Sequence, residues 1–270
     1  MPKPLYLLKT VTEQDPVQTC EMIKTLCGET VNLSDKALKC LSLSLKQLTN
    51  IDNASPAVFH AVDLGVRIWN DFKVTGHLIS MGFYLQTIMV LRDVIETIAV
   101  VEYLHTFPDK ADMWWKAKTR KERLAFSINS IAADIENGHE LKSIWDALSQ
   151  QIHPNSQAVP IYGADKPYYG HNLFLGGFYY PKRVEYYLEL QLLLCITFTQ
   201  KIKEWYKEIL KTNSELIKEI DSLEDEYRTQ VQILERLTEA ETKEVVDKIV
   251  STRLSKEEVI EWFKSLDNAS

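Results

Sequence analysis

Two pairs of polar side chains stand at a spacing that suits chemistry. Arg92 and Glu96 are four apart in Val90-Leu-Arg-Asp-Val-Ile-Glu96, and Ser149 and His153 are four apart in Trp145-Asp-Ala-Leu-Ser-Gln-Gln-Ile-His-Pro154. Residues four apart share a helix face, so each pair would present its groups together if both stretches are helical. An imidazole titrates near neutral pH and moves a proton, while a guanidinium holds a phosphate and the charge that develops on it. Together, Arg92 and His153 would suit cleavage of RNA by its own 2′-hydroxyl, with Glu96 and Ser149 as binding partners. The competing expectation is that the four form a satisfied buried network that fixes helix register, with His153 near a C-terminal dipole.

A second candidate is a metal centre. Glu102-Tyr-Leu-His105 and Glu136-Asn-Gly-His139 both carry the E-x-x-H spacing that places a carboxylate and an imidazole on one helix face, as in diiron bundles. Gly138 would interrupt the second. A third lies in residues 109–123, where six Lys/Arg face three Asp/Glu beside Trp114 and Trp115. Lys116, Lys118, Arg120 and Lys121 with those rings would form a phosphate-facing, base-stacking patch, or else a solvated helix face with its tryptophans docked inward. The phosphate-binding, dinucleotide, zinc-protease and nucleophile-elbow signatures are absent from the sequence, which argues against ATP-dependent, Rossmann and hydrolase chemistry. No cofactor is expected.

The elements that must position these groups are helices. Apolar residues recur at three and four almost throughout and period-2 alternation is scarce, so the chain reads as all-α, a helical bundle. Pro16 opens a helix that Gly28 closes, Leu33 to Leu48 carries a second, and Ser55-Pro56 caps a third. The most apolar helix, expected over about 77–106 and stopped by Pro108, is the natural bundle centre. Helices over 121–136 and 139–152 should follow, parted at Asn137-Gly138. Residues 154–181 then collect four of the nine glycines and four of the nine prolines with seven Tyr/Phe and His171, a loop expected over the bundle end with a short hairpin across Gly176-Gly177.

From residue 182 no Gly or Pro occurs, and a heptad seam runs Ile202, Tyr206, Ile209, Asn213, Leu216, Ile220, Leu223, Tyr227, Gln230, Leu234 and Leu237. That spacing predicts a long coiled-coil-like helix with Asn213 as its register-setting polar residue, offering a homodimer or partner seam from Ile202 to Leu237. Residues 201–270 hold 12 Lys/Arg against 17 Asp/Glu, marking an acidic arm that ends in a capped amphipathic helix from Ser255. The organisation is read as N-terminal helices over 1–74, a bundle core over 75–210 and the arm over 211–270.

The apolar helix bearing L-R-x-x-x-E, followed by a helix ending L-S-x-x-x-H-P, resembles a group of prokaryotic helical proteins that are in turn similar to the HEPN superfamily, named from higher eukaryotes and prokaryotes nucleotide-binding. The resemblance covers about residues 75–210. It implies an α-helical, often dimeric bundle engaging RNA or nucleotides in defence, toxin–antitoxin or stress responses, and, if an enzyme, a metal-independent ribonuclease. HEPN nucleases carry an Arg followed after four to six residues by His on one helix. No arginine here has that partner, so Arg92 and His153 would form a split version of the motif.

The net charge of −7 argues against a broad duplex-DNA footprint. Cys20, Cys27, Cys40 and Cys195 form no C-x-x-C pair and read as reduced core thiols. The start lacks a secretory pattern, and the 18-residue uncharged run Val74 to Leu91 is interrupted by polar residues, so a cytoplasmic chain with no membrane span is expected.

Overall fold

The computed structural model describes residues 10–13, 16–50, 55–152, 172–175 and 181–234. It is an all-α bundle with eleven α-helices among those residues: α1 (Pro16–Leu26), α2 (Gly28–Leu48), α3 (Pro56–Ser80), α4 (Tyr84–Thr106), α5 (Ala111–Lys116), α6 (Arg120–Leu124), α7 (Ile128–Ile131), α8 (Gly138–Ile152), α9 (Pro181–Trp205), α10 (Lys207–Leu210) and α11 (Ser214–Leu234). Short 3-10 turns occupy Pro108–Lys110 and Ala132–Asp134. A four-residue strand β1 (Thr10–Glu13) pairs in parallel with β2 (Asn172–Leu175). β2 thus pairs with the N-terminal strand, while Gly176-Gly177, where a hairpin was expected, lie outside the described residues.

The helix signals in the sequence act as read for α1 and α3, while α2 begins at Gly28, ahead of the expected Leu33. Pro16 is the first residue of α1, and the Ser55 hydroxyl accepts the Val58 amide at 3.4 Å with Pro56 just inside α3. The next boundary differs. α3 continues through Gly76 to Ser80, and the reversal into α4 falls at Met81–Phe83, where Gly82 takes φ 76°, a conformation that glycine adopts without Cβ strain. The uncharged run 74–91 is therefore split between two antiparallel helices. No described helix is long and apolar enough to cross a membrane.

α4 is the centre. Leu91, Val94, Ile95, Ile98, Ala99 and Leu104 are all buried, so apolar side chains cover most of its circumference. It packs against α3, α8 and α9, while α2 packs on both α3 and α9. Gly65 lets α2 approach α3: a Cβ there would lie 2.5 Å from Leu45 Cδ2. One contiguous core runs from Met22 to Leu223. The boundaries expected at 74/75 and 210/211 do not separate structural units, because α3 passes through the first and α11 packs on α2 and α9 across the second.

The long C-terminal helix is also corrected. It breaks at Tyr206 and again at Lys211–Asn213, so α9, α10 and α11 turn back on the bundle. Asn213 does not set a heptad register; its side-chain oxygen accepts the Leu216 amide at 3.1 Å and caps α11. α11 runs antiparallel to α2, with Lys36 bonded to Ser222 at 3.2 Å and Gln47 to the Ile209 carbonyl at 3.1 Å. Ile202, Tyr206, Leu216, Ile220 and Leu223 are buried in the chain's own core, so this stretch of the expected dimer seam is not a free surface. Leu237 and the helix expected from Ser255 lie outside the described residues.

Candidate nucleotide-binding cleft

The helix expected over 121–136 is broken into short pieces, Arg120–Leu124, Ile128–Ile131 and the turn at Ala132–Asp134. Thr119 and Glu122 form a capping box: the Thr119 hydroxyl accepts the Glu122 amide at 3.2 Å, and Glu122 Oε2 accepts the amides of Thr119 at 2.8 Å and Lys118 at 2.9 Å. Those backbone donors hold the Glu122 carboxyl below its usual range. The Arg123 guanidinium donates to the Lys118 carbonyl at 2.8 Å, which ties the turn from the other side. The segment after Pro108 packs on α3 and α4, and together they enclose a cleft of about 380 Å³.

Three elements supply its chemistry. α4 contributes Asp93 and Glu96, α3 contributes Arg67, and the 108–126 segment contributes Trp114, Trp115 and Arg123. Beside it, His60 on α3 is 5% exposed and stacks on Trp115 at 5.1 Å and 26°, with Trp114 edge-on at 5.2 Å. Trp114 packs partly on the core, whereas Trp115 is 60% exposed, so one face of an indole is backed by protein. Burial pushes the His60 imidazole below its ordinary value, although Asp63 and Asp112 oppose this, and its Nδ1 has no partner among the described residues. Arg67 is paired with Asp93 and lies 3.8 Å from Asp71. Burial, and then the neighbouring Asp93 charge, push the Asp71 carboxyl up.

The residues expected to act are divided between two places. Lys116, Lys118, Arg120 and Lys121 are exposed on the cleft segment. Lys116 pairs with Asp112 at 2.9 Å, while Lys118, Arg120 and Lys121 have no ion-pair partner among the described residues. Glu96 faces the cleft. Arg92 turns toward α8, where its guanidinium lies 4.3 Å above the Trp145 ring and its Nε is buried without a hydrogen-bond partner. No ion pair joins Arg92 to Glu96, contrary to the expected pairing. Ser149 is buried on α8, but its hydroxyl donates back to the Trp145 carbonyl at 2.7 Å. His153 lies outside the described residues. The sequence reading missed His60, Arg67 and Asp93 here; Asp93 adjoins Arg92, and Arg67 lies two helical turns from His60, but no short motif joins them.

The two E-x-x-H glutamates converge on an ammonium. Lys201 on α9 donates to Glu102 at 2.8 Å and reaches Glu136 at 3.4 Å. His105 instead stacks on Trp205 at 4.6 Å, and burial pushes its imidazole down. Among the described residues no group of three His, Cys, Asp or Glu could hold a metal ion. Three of the four thiols are sequestered: burial pushes Cys27 and Cys195 up to about 12 and Cys40 up to about 11, so none of these three is poised as a nucleophile at neutral pH, while Cys20 is half-buried.

No protein-family model matches the chain, and neither a curated protein nor a solved structure matches it.

Proposed function

We propose that this protein is a helical-bundle module of HEPN-like type that engages nucleotides, single-stranded RNA in particular, at the cleft beside Trp115. The observation that carries this reading is the exposed Trp115 ring, backed by a buried imidazole, with Arg67 and Arg123 lining the same cleft and, on the same chain segment, exposed Lys118, Arg120 and Lys121, which have no ion-pair partner among the described residues. An aromatic face stacks on any base, and cations on the same segment meet the backbone phosphates. The acidic remainder of the surface favours a local single-stranded contact over a duplex footprint. RNA binding of this kind fits a role in defence or stress responses.

The test is equilibrium binding of a fluorescent 12-nucleotide RNA. Loss of one stacking platform costs about 1–3 kcal/mol, so Trp115→Ala should weaken binding by roughly 5- to 150-fold. With four phosphates met by Lys118, Arg120, Lys121 and Arg123, the slope of log affinity against log salt should be about −3. Wild-type binding that ignores both salt and Trp115→Ala refutes the proposal.

Catalysis is a second reading, favoured by one feature. Arg92 Nε and Trp145 Nε1 are both buried donors without partners among the described residues at the α4–α8 contact, and α8 ends one residue before His153. Metal-independent cleavage there predicts RNA breakdown in EDTA that is lost in folded Arg92→Ala and His153→Ala variants. An intact RNA pool after incubation with wild type removes it.

A further inference from the structure

On the other side of α3 from the cleft, the helices α1, α2, α3 and α9 enclose a cavity of about 270 Å³. Its floor is made by Gln191 of α9 and Ser34 of α2, against Phe72 of α3. Gln191 is 2% exposed, and its amide nitrogen donates to the Ser34 hydroxyl at 3.1 Å. The amide oxygen of Gln191 has no hydrogen-bond partner among the described residues. A buried polar atom of this kind costs roughly 1–3 kcal/mol unless something completes it. The wall beside it is bare backbone, because Gly76 stands against the amide: a Cβ there would lie 3.4 Å from Gln191 Nε2 and 3.6 Å from Oε1. Ile23, Leu38 and Leu188 make the sides apolar, while exposed Lys24, Lys73 and His77 ring the mouth, with Asp35 on Lys73 at 3.0 Å.

We propose that this cavity binds a small organic anion with a lactam edge, such as a pyrimidinedione or oxopurine carrying a carboxylate or phosphate. The floor presents an acceptor, Gln191 Oε1, beside the Ser34 hydroxyl, whose proton is free to donate. A lactam offers the complement, an N–H next to a C=O. Turning the Gln191 amide over exchanges the two roles and still leaves a lactam matched. The flat ring lies between apolar walls, and the anionic substituent reaches the lysines at the mouth. The volume is at the small end of ligand pockets, which sets the ligand size near one ring system with one substituent. This site is separate from the Trp115 cleft and does not depend on the RNA-binding reading.

The experiment is thermal denaturation of the full chain with orotate, uridine 5′-monophosphate and inosine 5′-monophosphate, and with neutral uridine as the control for the anionic substituent. At one hundred times its dissociation constant, a bound probe raises the melting temperature by about 5–10 °C. We expect at least one of the three anions to do so, with uridine weaker. Gly76→Ala relieves a helix-interior glycine and covers the Gln191 amide, so it should raise the melting temperature of the free protein while weakening the probe about tenfold or more. Gln191→Leu should abolish the shift. Trp115→Ala should leave it unchanged, which distinguishes this cavity from the cleft. The proposal is overturned if none of the three anions shifts wild type, if Gly76→Ala responds as wild type does, or if Trp115→Ala removes the response.

Discussion

Replacing Lys201 by Met should be among the most damaging single changes in the bundle. The Lys201 and Glu102 side chains are 8% and 3% exposed, and their charged atoms are 2.8 Å apart. At an effective dielectric of about 20, a pair at that distance attracts by about 6 kcal/mol, much of which is offset by desolvating both ions. Lys201→Met leaves the offset uncancelled on Glu102, whose Oε2 already lacks a partner. Breaking such a buried pair costs about 3–5 kcal/mol, a fall of roughly 6–20 °C in melting temperature for a domain of this size class. Glu136 cannot compensate, because its side chain is 82% exposed and its attraction for Lys201 is screened by water. The paired replacement Lys201→Met with Glu102→Leu removes both ions and should recover most of the loss. Urea unfolding of the wild type, both single variants, the double variant and Glu136→Gln measures each step, with Glu136→Gln expected within about 1 kcal/mol of wild type. A loss below about 1 kcal/mol in Lys201→Met, or a double variant no more stable than the worse single one, would refute the assignment of a buried ion pair.

Other perturbations test the elements around the sites. Asn213→Ala removes the cap of α11 and should cost about 1 kcal/mol in urea unfolding, whereas a heptad role for Asn213 requires Asn213→Leu to be stabilising and to promote dimers in light scattering. Gly138→Ala would place a Cβ 1.9 Å from the Ala132 carbonyl oxygen, a backbone atom with little freedom to move, so a loss of at least about 1–3 kcal/mol is expected and an unchanged melting temperature contradicts the geometry. His60 and His105 both have folded values held below the unfolded one. Their contribution is therefore present above the unfolded value of about 6.5 and is lost as pH falls through the folded values; replacing both by Gln should flatten the acid limb of a stability–pH curve. Asp71 has the opposite sign, since its folded value is raised. Asp71→Asn should stabilise the protein at pH 7 and lose that advantage toward pH 4, and a gain independent of pH would contradict the carboxylate crowding.

Much of the fold was legible because its signals are local. Pro16, Gly28, Ser55-Pro56 and Pro108 act within a turn of the backbone they govern, and α1, α2, α3 and α8 begin or end where those signals or Gly138 stand. The errors came where a local signal had two readings. The central helix was expected to start near residue 77, yet the preceding helix runs through Gly76 to Ser80, and that glycine stands against the Gln191 amide. A polar residue at heptad spacing looked like a register device, yet Asn213 caps a helix, because the chain between Trp205 and Ser214 turns back and buries the same apolar spacing on α2 and α9. Period alone does not say whether a seam meets another chain or its own.

The candidate site was less legible, and Arg92 and Glu96 show why. Four residues advance a helix by about 40° beyond a full turn. On a helix facing solvent that offset leaves two side chains together, and the expected pairing follows. On α4, packed against α3, α8 and α9, the same offset separates two neighbours: Arg92 falls over Trp145 of α8, and Glu96 into the cleft floored by α3. The more crowded the helix, the finer the angle that decides what a side chain meets, and the less a motif on it says about chemistry. In the 108–126 segment Ala111 and Phe126 are buried and Trp114 packs on the core, while Lys116, Lys118, Arg120, Lys121 and Trp115 stay exposed, so its basic residues meet solvent and not a crowded neighbour. That contrast is the physical ground for placing ligand binding at Trp115 ahead of catalysis at Arg92.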